Sequence, residues 1–358
     1  MSRCGVSEIP RPFPRPPSTG STVSPRSGAA SCPGGRATTG DPVHLLLCTN
    51  ALFLQHAAVC LTSLLVNNPD LFFDIVVVGR TTEELDRDKL SRSLTSFPNH
   101  SLSFREFTPP ADRLLPLNPR AHYTLDNWTR LWVEQFFPVD IDRVLYLDSD
   151  IVVVGSVAPL WHTDLEGALL GAVDIPGSGR GVTHLGLRAE DGYFNSGVLL
   201  IDLGQWRKTR ARDAVLAYVE AHPEEMMRDV DQEALNACFY GRRKRLAYKW
   251  NAIWPFFREP VELALAPTEI EAVRQEACII HFNGNSKPWS YFCDHPRKGE
   301  YEKYLGMTEW RDFIPADRTV TNRLRKEISA ILPEKIKRAI KAFVPLISKI
   351  GQRVAGKA

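Results

Sequence analysis

The sequence lacks the features that would mark a membrane-spanning, zinc-binding or nucleic-acid-binding chain. No apolar run in its 358 residues is long enough to span a bilayer, which excludes a transmembrane helix. No two of the seven cysteines form a C-x-x-C pair, which excludes a zinc knuckle and a thioredoxin-type motif. The net charge of +2 is too small to indicate a nucleic acid partner, and we expect none.

The cysteines and the N-terminal composition indicate where the folded part lies. Four cysteines stand among apolar neighbours and are predicted to be buried thiols in a reducing compartment: Cys48, Cys60, Cys238 and Cys278. Residues 1–41 are rich in Pro, Ser, Gly and Arg and nearly free of aliphatic residues, so we predict that they are disordered. They also lack the apolar core of a signal peptide, and a start codon placed too far upstream is the alternative interpretation.

From residue 42 to about 315, strand-like and helix-like segments alternate. Apolar runs at 43–48, 72–79, 101–107, 168–175, 193–203 and 278–284 predict strands, and helical spacing near 51–68, 83–94, 125–137, 208–221 and 231–240 predicts helices. Such alternation is typical of an α/β fold with a mixed, mostly parallel sheet and helices on both faces, here as a single catalytic domain. Ligands bind at the carboxyl ends of strands in these sheets.

The stretch VLYLDSDIVVVG, residues 144–155, places two carboxylates in a run that otherwise predicts one buried strand. In an extended backbone, residues i and i+2 point the same way, so Asp148 and Asp150 would lie on one side. Two like charges that close destabilise each other unless a cation lies between them, and a divalent metal ion takes hard oxygen ligands. The alternative is a turn in which both aspartates cap backbone groups.

A second motif, CIIHFNGNSKPW, supplies a histidine at the end of an apolar strand. His281 can complete a metal site, and two carboxylates with one imidazole suit manganese better than calcium or structural zinc. Lys287 can reach phosphate oxygens, and Gly284 permits close approach of the backbone to a ligand. The alternative for His281 is a hydrogen-bonded surface histidine.

Other polar residues in apolar surroundings are further candidates, each with a simpler alternative. Asn195 and Ser196 lie in an apolar strand, where the alternative is a strand start next to a turn. Asp231 and Gln232 open a helix, where the alternative is an N-cap aspartate. Arg130 lies among aromatic residues, where the alternative is a surface arginine. A GSGRG run at 177–181 does not join strand to helix and is discounted as a phosphate loop.

Together and in this order, the motifs between Val43 and Trp289 resemble glycosyltransferase family 8, which comprises retaining enzymes of the GT-A fold that use nucleotide sugars. The resemblance implies that Asp148, Asp150 and His281 bind manganese, with magnesium as the alternative ion. It implies that Gly284 and Lys287 touch the diphosphate of the donor. It also implies a donor site that includes Arg130, Asp174, Asn195, Asp231, Gln232, Ser149, Thr49, Asn50 and Phe53.

One position departs from the family pattern. Asn50 stands where an aspartate that grips uridine is common, although an amide can also hydrogen-bond the uracil edge. Phe53 takes the place of an aromatic residue that often stacks on the base. We therefore still expect uridine as the base of the donor.

The resemblance predicts transfer of galactose or glucose from a UDP-sugar to a glycan or glycolipid acceptor, as in lipopolysaccharide synthesis, with retention of configuration. Gln232 is a poor nucleophile, which favours attack on the face that the diphosphate leaves. Two alternatives stay open here. One is a phosphohydrolase of the haloacid dehalogenase type with Asp148 as nucleophile, and the other is a binding module for nucleotide sugars that has no turnover.

The segment from residue 316 to 358 is basic and aliphatic. From Arg318 it carries eleven Lys or Arg residues and only two acids, with Ile336, Ile340 and Phe343 at helical spacing. A basic amphipathic helix of this kind lies on an anionic membrane surface, so we predict a peripheral enzyme on the cytoplasmic face. The alternative is a terminal helix packed on the protein's own core.

Overall fold

The computed structural model describes residues 40–80, 84–110, 125–178, 182–225, 230–259, 261 and 263–331. The predicted disordered segment therefore lies almost entirely outside the described residues, as do residues 332–358 of the predicted membrane tail. Packing divides the chain into two compact units. The first unit consists of two stretches, the chain up to Gly284 and the segment His295–Asp312. The second unit consists of Asn285–Asp294 and the residues from Phe313 onward. The predicted domain boundaries at 41 and 315 stay predictions.

All strands of the described structure belong to the first unit and form two sheets. The larger sheet has seven strands in the order β3-β2-β1-β4-β7-β6-β8. The smaller has three in the order β5-β10-β9. The strands are β1 (Val43–Cys48), β2 (Phe73–Gly79), β3 (His100–Glu106), β4 (Arg143–Leu147), β5 (Ile151–Val153), β6 (Leu170–Asp174), β7 (Phe194–Asp202), β8 (Arg243–Arg245), β9 (Ala252–Ile253) and β10 (Ile279–His281).

The seven-stranded sheet is mixed and mostly parallel, as predicted. β1 pairs in parallel with β2 and β4, β2 with β3, and β6 with β8, whereas β7 runs antiparallel to both β4 and β6. Alternate residues of β1 belong to two hydrophobic cores, one on each face of the sheet: Leu45 and Leu47 pack on one face and Leu46 on the other. Both faces are thus covered, which explains why the parallel strands read as continuous apolar runs.

The helices account for most of the predicted helical segments. They are α1 (Leu54–Val66), α2 (Glu84–Leu94), α3 (Ala158–Trp161), α4 (Leu203–Lys208), α5 (Ala211–Ala221), α6 (Val230–Phe239), α7 (Pro267–Glu276), α8 (Lys298–Leu305) and α9 (Val320–Ile331). The segment predicted near 208–221 is interrupted at Arg210, whose φ of 52° is left-handed. The segment Leu125–Gln135 is a 3₁₀ helix with a kink at Trp132.

Within the described ranges, no helix is both long and apolar enough to cross a membrane. Cys60 and Cys238 are buried as predicted, whereas Cys48 and Cys278 are only half-buried. The prediction of four buried thiols is therefore correct for two of them.

Candidate active site

The Asp-Ser-Asp stretch connects the two sheets. β4 ends at Leu147 in the seven-stranded sheet, and β5 begins at Ile151 in the three-stranded sheet, so the prediction of one continuous strand is wrong. Asp148 still pairs through its backbone with β7, since its N–H donates to the Gly197 carbonyl at 2.9 Å. The backbone of Asp150 is hydrogen-bonded on the side of the three-stranded sheet, because its carbonyl accepts from the N–H of Phe282, the residue after β10, at 2.9 Å. A turn between the sheets, and not strand alternation, therefore aims the two carboxylates.

The three predicted metal ligands converge. Asp148, Asp150 and His281 each offer one ligand atom, and these atoms lie within 4.8 Å of one another. The Nε2 atom of His281 is 3.1 Å from Oδ1 of Asp150 and 3.9 Å from Oδ2 of Asp148. His281 is 3% exposed, which rules out the surface-histidine alternative.

Gly197 leaves the space in which these ligands meet. A Cβ atom at this position would lie 2.3 Å from Cε1 of His281 and 2.8 Å from Oδ2 of Asp148. Two carboxylates and an imidazole are a donor set that divalent manganese or magnesium accepts. The residues present therefore fit a divalent metal ion.

Asp148 is oriented by two donors on one of its oxygens. Oδ1 accepts from the Tyr146 hydroxyl at 2.6 Å and from Nη2 of Arg130 at 3.0 Å. Burial raises the pKa of Tyr146 well above its ordinary value, so the hydroxyl keeps its proton and donates. Because Oδ1 is engaged, Oδ2 is the oxygen that faces His281.

Arg130 is a buried connection between two acidic residues, and the surface-arginine alternative is wrong. It is 5% exposed, and besides Asp148 it contacts Oδ2 of Asp231 at 3.2 Å and the Ser196 carbonyl at 2.8 Å. Burial alone would lower the pKa of Arg130, but the negative charges of Asp148 and Asp231 raise it above the ordinary value. The guanidinium therefore stays charged. Its contact with a donor stays a prediction.

Asp231 lies inside α6, not before it. The helix begins at Val230, so Asp231 is in the first turn and the N-cap alternative is wrong. Asp231 is 2% exposed, and its pairing with Arg130 compensates part of the cost of burying its charge.

Gln232 and Asn195 form the core of a buried amide network. Oε1 of Gln232 accepts from Nδ2 of Asn195 at 2.9 Å and from the Ser196 N–H at 2.9 Å. Nε2 of Gln232 donates to the Tyr193 hydroxyl at 3.1 Å. Asn195 is the second residue of β7, whose register against β6 shifts between Ala172 and Val173. Asn195 therefore lies within a strand, and its side chain connects β7 to α6.

Asn251 links this network to the metal-ligand cluster. Its Nδ2 atom donates to Oδ1 of Asn195 at 2.8 Å, and its Oδ1 atom lies 2.9 Å from Nδ1 of His281. Asn251 is completely buried. The sequence analysis missed it, because nothing in the spacing of KWNAIW distinguishes this asparagine from a turn residue.

Asp174, a predicted sugar contact, is neutralised by β8. Its oxygens lie 2.8 Å and 2.9 Å from the guanidinium nitrogens of Arg243 and 3.1 Å from Nε of Arg245. Its role toward a donor sugar stays a prediction.

The predicted base-binding residues lie after β1. Asn50 caps the 3₁₀ turn Ala51–Phe53, since its Oδ1 accepts from the Leu52 N–H at 3.1 Å and the Phe53 N–H at 3.2 Å. Its Nδ2 donates to Oδ2 of Asp126 at 3.0 Å. Asp126 is a second residue that the sequence analysis missed, and it places a carboxylate next to the position where the family pattern has an acid.

The other residues predicted to bind the base are held in position by hydrogen bonds to backbone groups and by ring packing. The Thr49 N–H donates to the Val78 carbonyl at 2.8 Å, and Oγ of Ser149 donates to the Cys48 carbonyl at 3.3 Å. The half-buried ring of Phe53 meets that of His56 edge-on, with centroids 5.5 Å apart. Base stacking by Phe53 stays a prediction.

Gly284 and Lys287 belong to different units. Gly284 ends the first stretch of the first unit with a φ of 84°, a left-handed conformation that favours glycine. Lys287 belongs to the second unit, where its Nζ atom lies 5.7 Å from the ring centre of Trp289. Their contacts with a diphosphate stay predictions.

Comparisons with known proteins relate most of this chain to one family. The model of the family described as glycosyl transferase family 8 matches residues 44–293. General stress protein A of Bacillus subtilis (strain 168) is 32% identical over 195 residues, which are 53% of this chain and 68% of that protein. The lipopolysaccharide 1,2-glucosyltransferase of Escherichia coli (strain K12) is 24% identical over 297 residues, which are 82% of this chain and 86% of that protein.

A solved structure of the galactosyltransferase LgtC with donor and acceptor sugar analogues is similar in fold. It superposes with a TM-score of 0.65 at 24% identity, and the match covers 77% of this chain and 98% of that one. At this identity the similarity establishes the GT-A fold.

Proposed function

The chain belongs to glycosyl transferase family 8, and on that premise we propose that it transfers galactose or glucose from a UDP-sugar to an acceptor hydroxyl with retention of configuration. The observation that carries this proposal is the convergence of Asp148, Asp150 and His281. These three residues come from the connection between the sheets and from β10, and their ligand atoms meet at one place.

The proposed metal ion is Mn²⁺, with Mg²⁺ as the alternative. Asp148, Asp150 and His281 would hold it, and when bound it supplies a Lewis acid to the diphosphate leaving group. Arg130 and Lys287 would add positive charge near that group, and Gly284 would let the backbone approach it. Thr49, Asn50, Phe53 and Ser149 would hold the uridine, and Asp174 and Asn195 the sugar.

The contacts of Gln232 support attack on the face from which UDP leaves. A nucleophile needs an accessible lone pair, but Oε1 of Gln232 already accepts from Asn195 and from the Ser196 N–H. The neighbouring Asp231 is paired with Arg130. Both residues therefore suit the stabilisation of a developing charge on the sugar better than covalent catalysis.

The phosphohydrolase alternative does not agree with the structure. A haloacid dehalogenase requires its motif after the first strand, whereas Asp148 follows β4. Membership of a glycosyltransferase family also argues against it. The non-catalytic binding module differs from our proposal only in turnover, so measurement of turnover decides between them.

The test is a screen of UDP-galactose, UDP-glucose and other UDP-sugars with Mn²⁺, followed by UDP release with and without EDTA. We expect slow hydrolysis of one donor without acceptor and loss of that activity in EDTA. Asp148→Ala or Asp150→Ala should lower activity at least about a hundredfold. Asp70→Ala, which removes an exposed aspartate, is the control. Full activity in EDTA would contradict the metal-dependent proposal, and Mn²⁺-dependent UDP-sugar binding without turnover would favour the binding module.

For the acceptor we propose a lipopolysaccharide or another glycolipid or glycan. The similarity to the E. coli lipopolysaccharide 1,2-glucosyltransferase over 82% of the chain supports this choice. A lipid-linked acceptor would be reached from the cytoplasmic face of the membrane, where an anionic surface is available to a basic segment.

We further propose that residues 318–358 hold the enzyme on that surface. The described part of this segment includes α9, on which Val320, Leu324 and Ile328 recur every fourth residue and are 81%, 56% and 48% exposed. Arg323, Arg325 and Lys326 supply positive charge on the same helix.

Co-sedimentation with anionic vesicles at low and high salt tests this anchor. The full chain should bind the vesicles, salt should weaken the binding, and Leu324→Ser/Ile328→Ser should reduce it. Turnover with a soluble acceptor should not change. Binding that survives removal of residues 318–358, or that salt does not affect, would contradict an electrostatic anchor.

A further inference from the structure

The direction of the hydrogen bonds around Asn251 can be assigned from the backbone. The Gly197 N–H can only donate, and it lies 3.0 Å from Oδ1 of Asn195, so that atom is the carbonyl oxygen. The Ser196 N–H likewise fixes Oε1 of Gln232 as the oxygen that faces Nδ2 of Asn195. Two backbone donors thus determine the orientation of both amides.

The same logic continues to His281. Since Oδ1 of Asn195 is an acceptor, the amide group of Asn251 that faces it at 2.8 Å must be the donor Nδ2. The carbonyl oxygen of Asn251 therefore faces Nδ1 of His281 at 2.9 Å. Nε2 of His281 faces carboxylate oxygens of Asp150 and Asp148 at 3.1 Å and 3.9 Å, so both ring nitrogens face acceptors. When Nε2 gives its lone pair to a metal ion between these carboxylates, the proton of the imidazole is on Nδ1, where the Asn251 carbonyl accepts it.

Asn251 is held rigidly enough for this task. It is completely buried, its N–H donates to the Tyr248 carbonyl at 3.1 Å, and it directly precedes β9. β9 pairs in parallel with β10, with Ile253 opposite His281. The backbone that carries the amide and the backbone that carries the imidazole are thus neighbours in one sheet.

We propose that Asn251 is a positioning residue that fixes His281 as the Nδ1–H tautomer, with Nε2 presented to the metal ion. Through Asn195 it also joins the metal ligands to Gln232, so one chain of hydrogen bonds connects the proposed metal site with the residues proposed to lie near the sugar. Both the role of Nε2 as a ligand and this tautomer rest on the proposed function, because the metal ion takes the place of a proton on Nε2. Outer partners of ligating histidines typically change metal affinity about 10–100-fold when they are removed.

The tautomer is measured first, on the wild-type chain saturated with Mg²⁺, which is diamagnetic. With ¹⁵N-labelled histidine, long-range ¹H–¹⁵N correlations show which ring nitrogen carries the proton. His281→Ala identifies the signals of His281. We expect the Nδ1–H form, and an Nε2–H form would overturn the proposal even if the enzyme proved to be an active glycosyltransferase.

Two variants separate the two bonds of Asn251. Asn251→Leu removes both bonds and should weaken Mn²⁺ binding, measured by calorimetry without donor, about 10–100-fold. Asn251→Asp keeps an oxygen toward His281 but loses the donor to Asn195, so Mn²⁺ affinity should stay within about threefold of wild type. Its turnover should fall, because the orientation of Asn195 and Gln232 is lost.

Asn68→Leu is the matched control for loss of a buried asparagine. Asn68 is 3% exposed, and its amide bonds the Leu64 carbonyl at 2.9 Å and the Val157 N–H at 2.7 Å, none of which belongs to the site. It should lower thermal stability without changing Mn²⁺ affinity.

Wild-type affinity in Asn251→Leu, or equal losses in Asn251→Leu and Asn251→Asp, would overturn the proposal. If Asn251→Leu does not fold, Asn251→Asp and the wild-type tautomer still decide it. A wild-type chain that binds neither Mn²⁺ nor Mg²⁺ would contradict the proposed function and this proposal with it, whereas an Nε2–H form in a metal-dependent transferase would contradict this proposal alone.

Discussion

The metal end and the base end of the candidate site are built in different ways. At the metal end, Asp148 and His281 are held by side chains that are themselves buried, namely Tyr146, Arg130 and Asn251. At the base end, the side chain of Asn50 caps the short turn that follows it and makes one further bond, to Asp126. Leu52 in that turn is 84% exposed. One end is therefore supported by the core and the other mainly by a short turn.

This difference predicts where the site tolerates change. A buried network leaves unsatisfied partners when one member is removed, which costs about 1–3 kcal/mol for each stranded group. An exposed cap costs about 1 kcal/mol, because water replaces the lost bond. Substitutions at the metal end should therefore affect catalysis strongly, and those at the base end should affect mainly donor affinity.

The largest effect is expected for Gly197→Ala. The new Cβ would overlap His281 Cε1 at 2.3 Å and Asp148 Oδ2 at 2.8 Å, so both ligands must move. We expect UDP release to fall about a hundredfold to a thousandfold, as when electrostatic stabilisation of the transition state is lost. Mn²⁺ binding should weaken in parallel, as calorimetry would measure.

Gly171→Ala is the control for this variant, since Gly171 lies in β6 of the same sheet. The three atoms nearest to its added Cβ would belong to the side chains of Leu165 and Leu246, at 3.1–3.3 Å. Gly171→Ala should lower stability but keep Mn²⁺ affinity. If Gly197→Ala binds Mn²⁺ like wild type, the metal end can accommodate an added methyl group, which would contradict the tight packing that we infer for it.

A smaller effect, confined to turnover, is expected for Gln232→Ala. It strands Asn195 Nδ2 and the Ser196 N–H, at a cost of about 1–3 kcal/mol each. A loss of about 1–3 kcal/mol of transition-state stabilisation lowers the rate about fivefold to 150-fold. Turnover should fall much more than UDP affinity, because we place Gln232 near the sugar and not the diphosphate. Gln275→Ala on the exposed side of α7 is the control. Loss of UDP binding with normal turnover would show that the placement is wrong.

The smallest effect is expected for Asn50→Ala. It removes the cap of the Ala51–Phe53 turn and the bond to Asp126, so the KM for the UDP-sugar should rise about fivefold at unchanged kcat. Steady-state kinetics with varied donor measure both constants. A fall in kcat without a change in KM would mean that the base end is coupled to catalysis, and the contrast between the two ends would disappear.

The convergence of Asp148, Asp150 and His281 was predictable because these residues are chemically unusual for their positions. They are polar residues at the ends of apolar runs, and the strand-end rule places them together. The contact of Tyr146 with Asp148 was also predictable, since Tyr146 precedes Asp148 by two residues in the sequence. Asn251 was not, because its role depends on the pairing of β9 with β10, which no local pattern encodes.

The errors have a related cause. The run from Val144 to Val154 has the composition of one strand, but the pairing of β5 with β10 draws its second half into another sheet. The segment near 208–221 has helical spacing throughout, yet Arg210 interrupts it in a left-handed conformation. At the first place the pairing of strands decided the local structure, and at neither place could periodicity alone reveal it.

The wide separation of the ligands along the chain has a consequence for biosynthesis. Asp150 and His281 are 131 residues apart, and His281 lies in the last strand of the described structure. Contacts of such high order form late, because the entropy of closing long loops must be overcome first. At about 5–20 residues per second, a ribosome needs about 7–26 seconds to add β10 after the Asp-Ser-Asp turn has been made. A nascent chain that still lacks β10 has no His281 to meet Asp148 and Asp150, so the proposed set of metal ligands is complete only when residues of both sheets have been made.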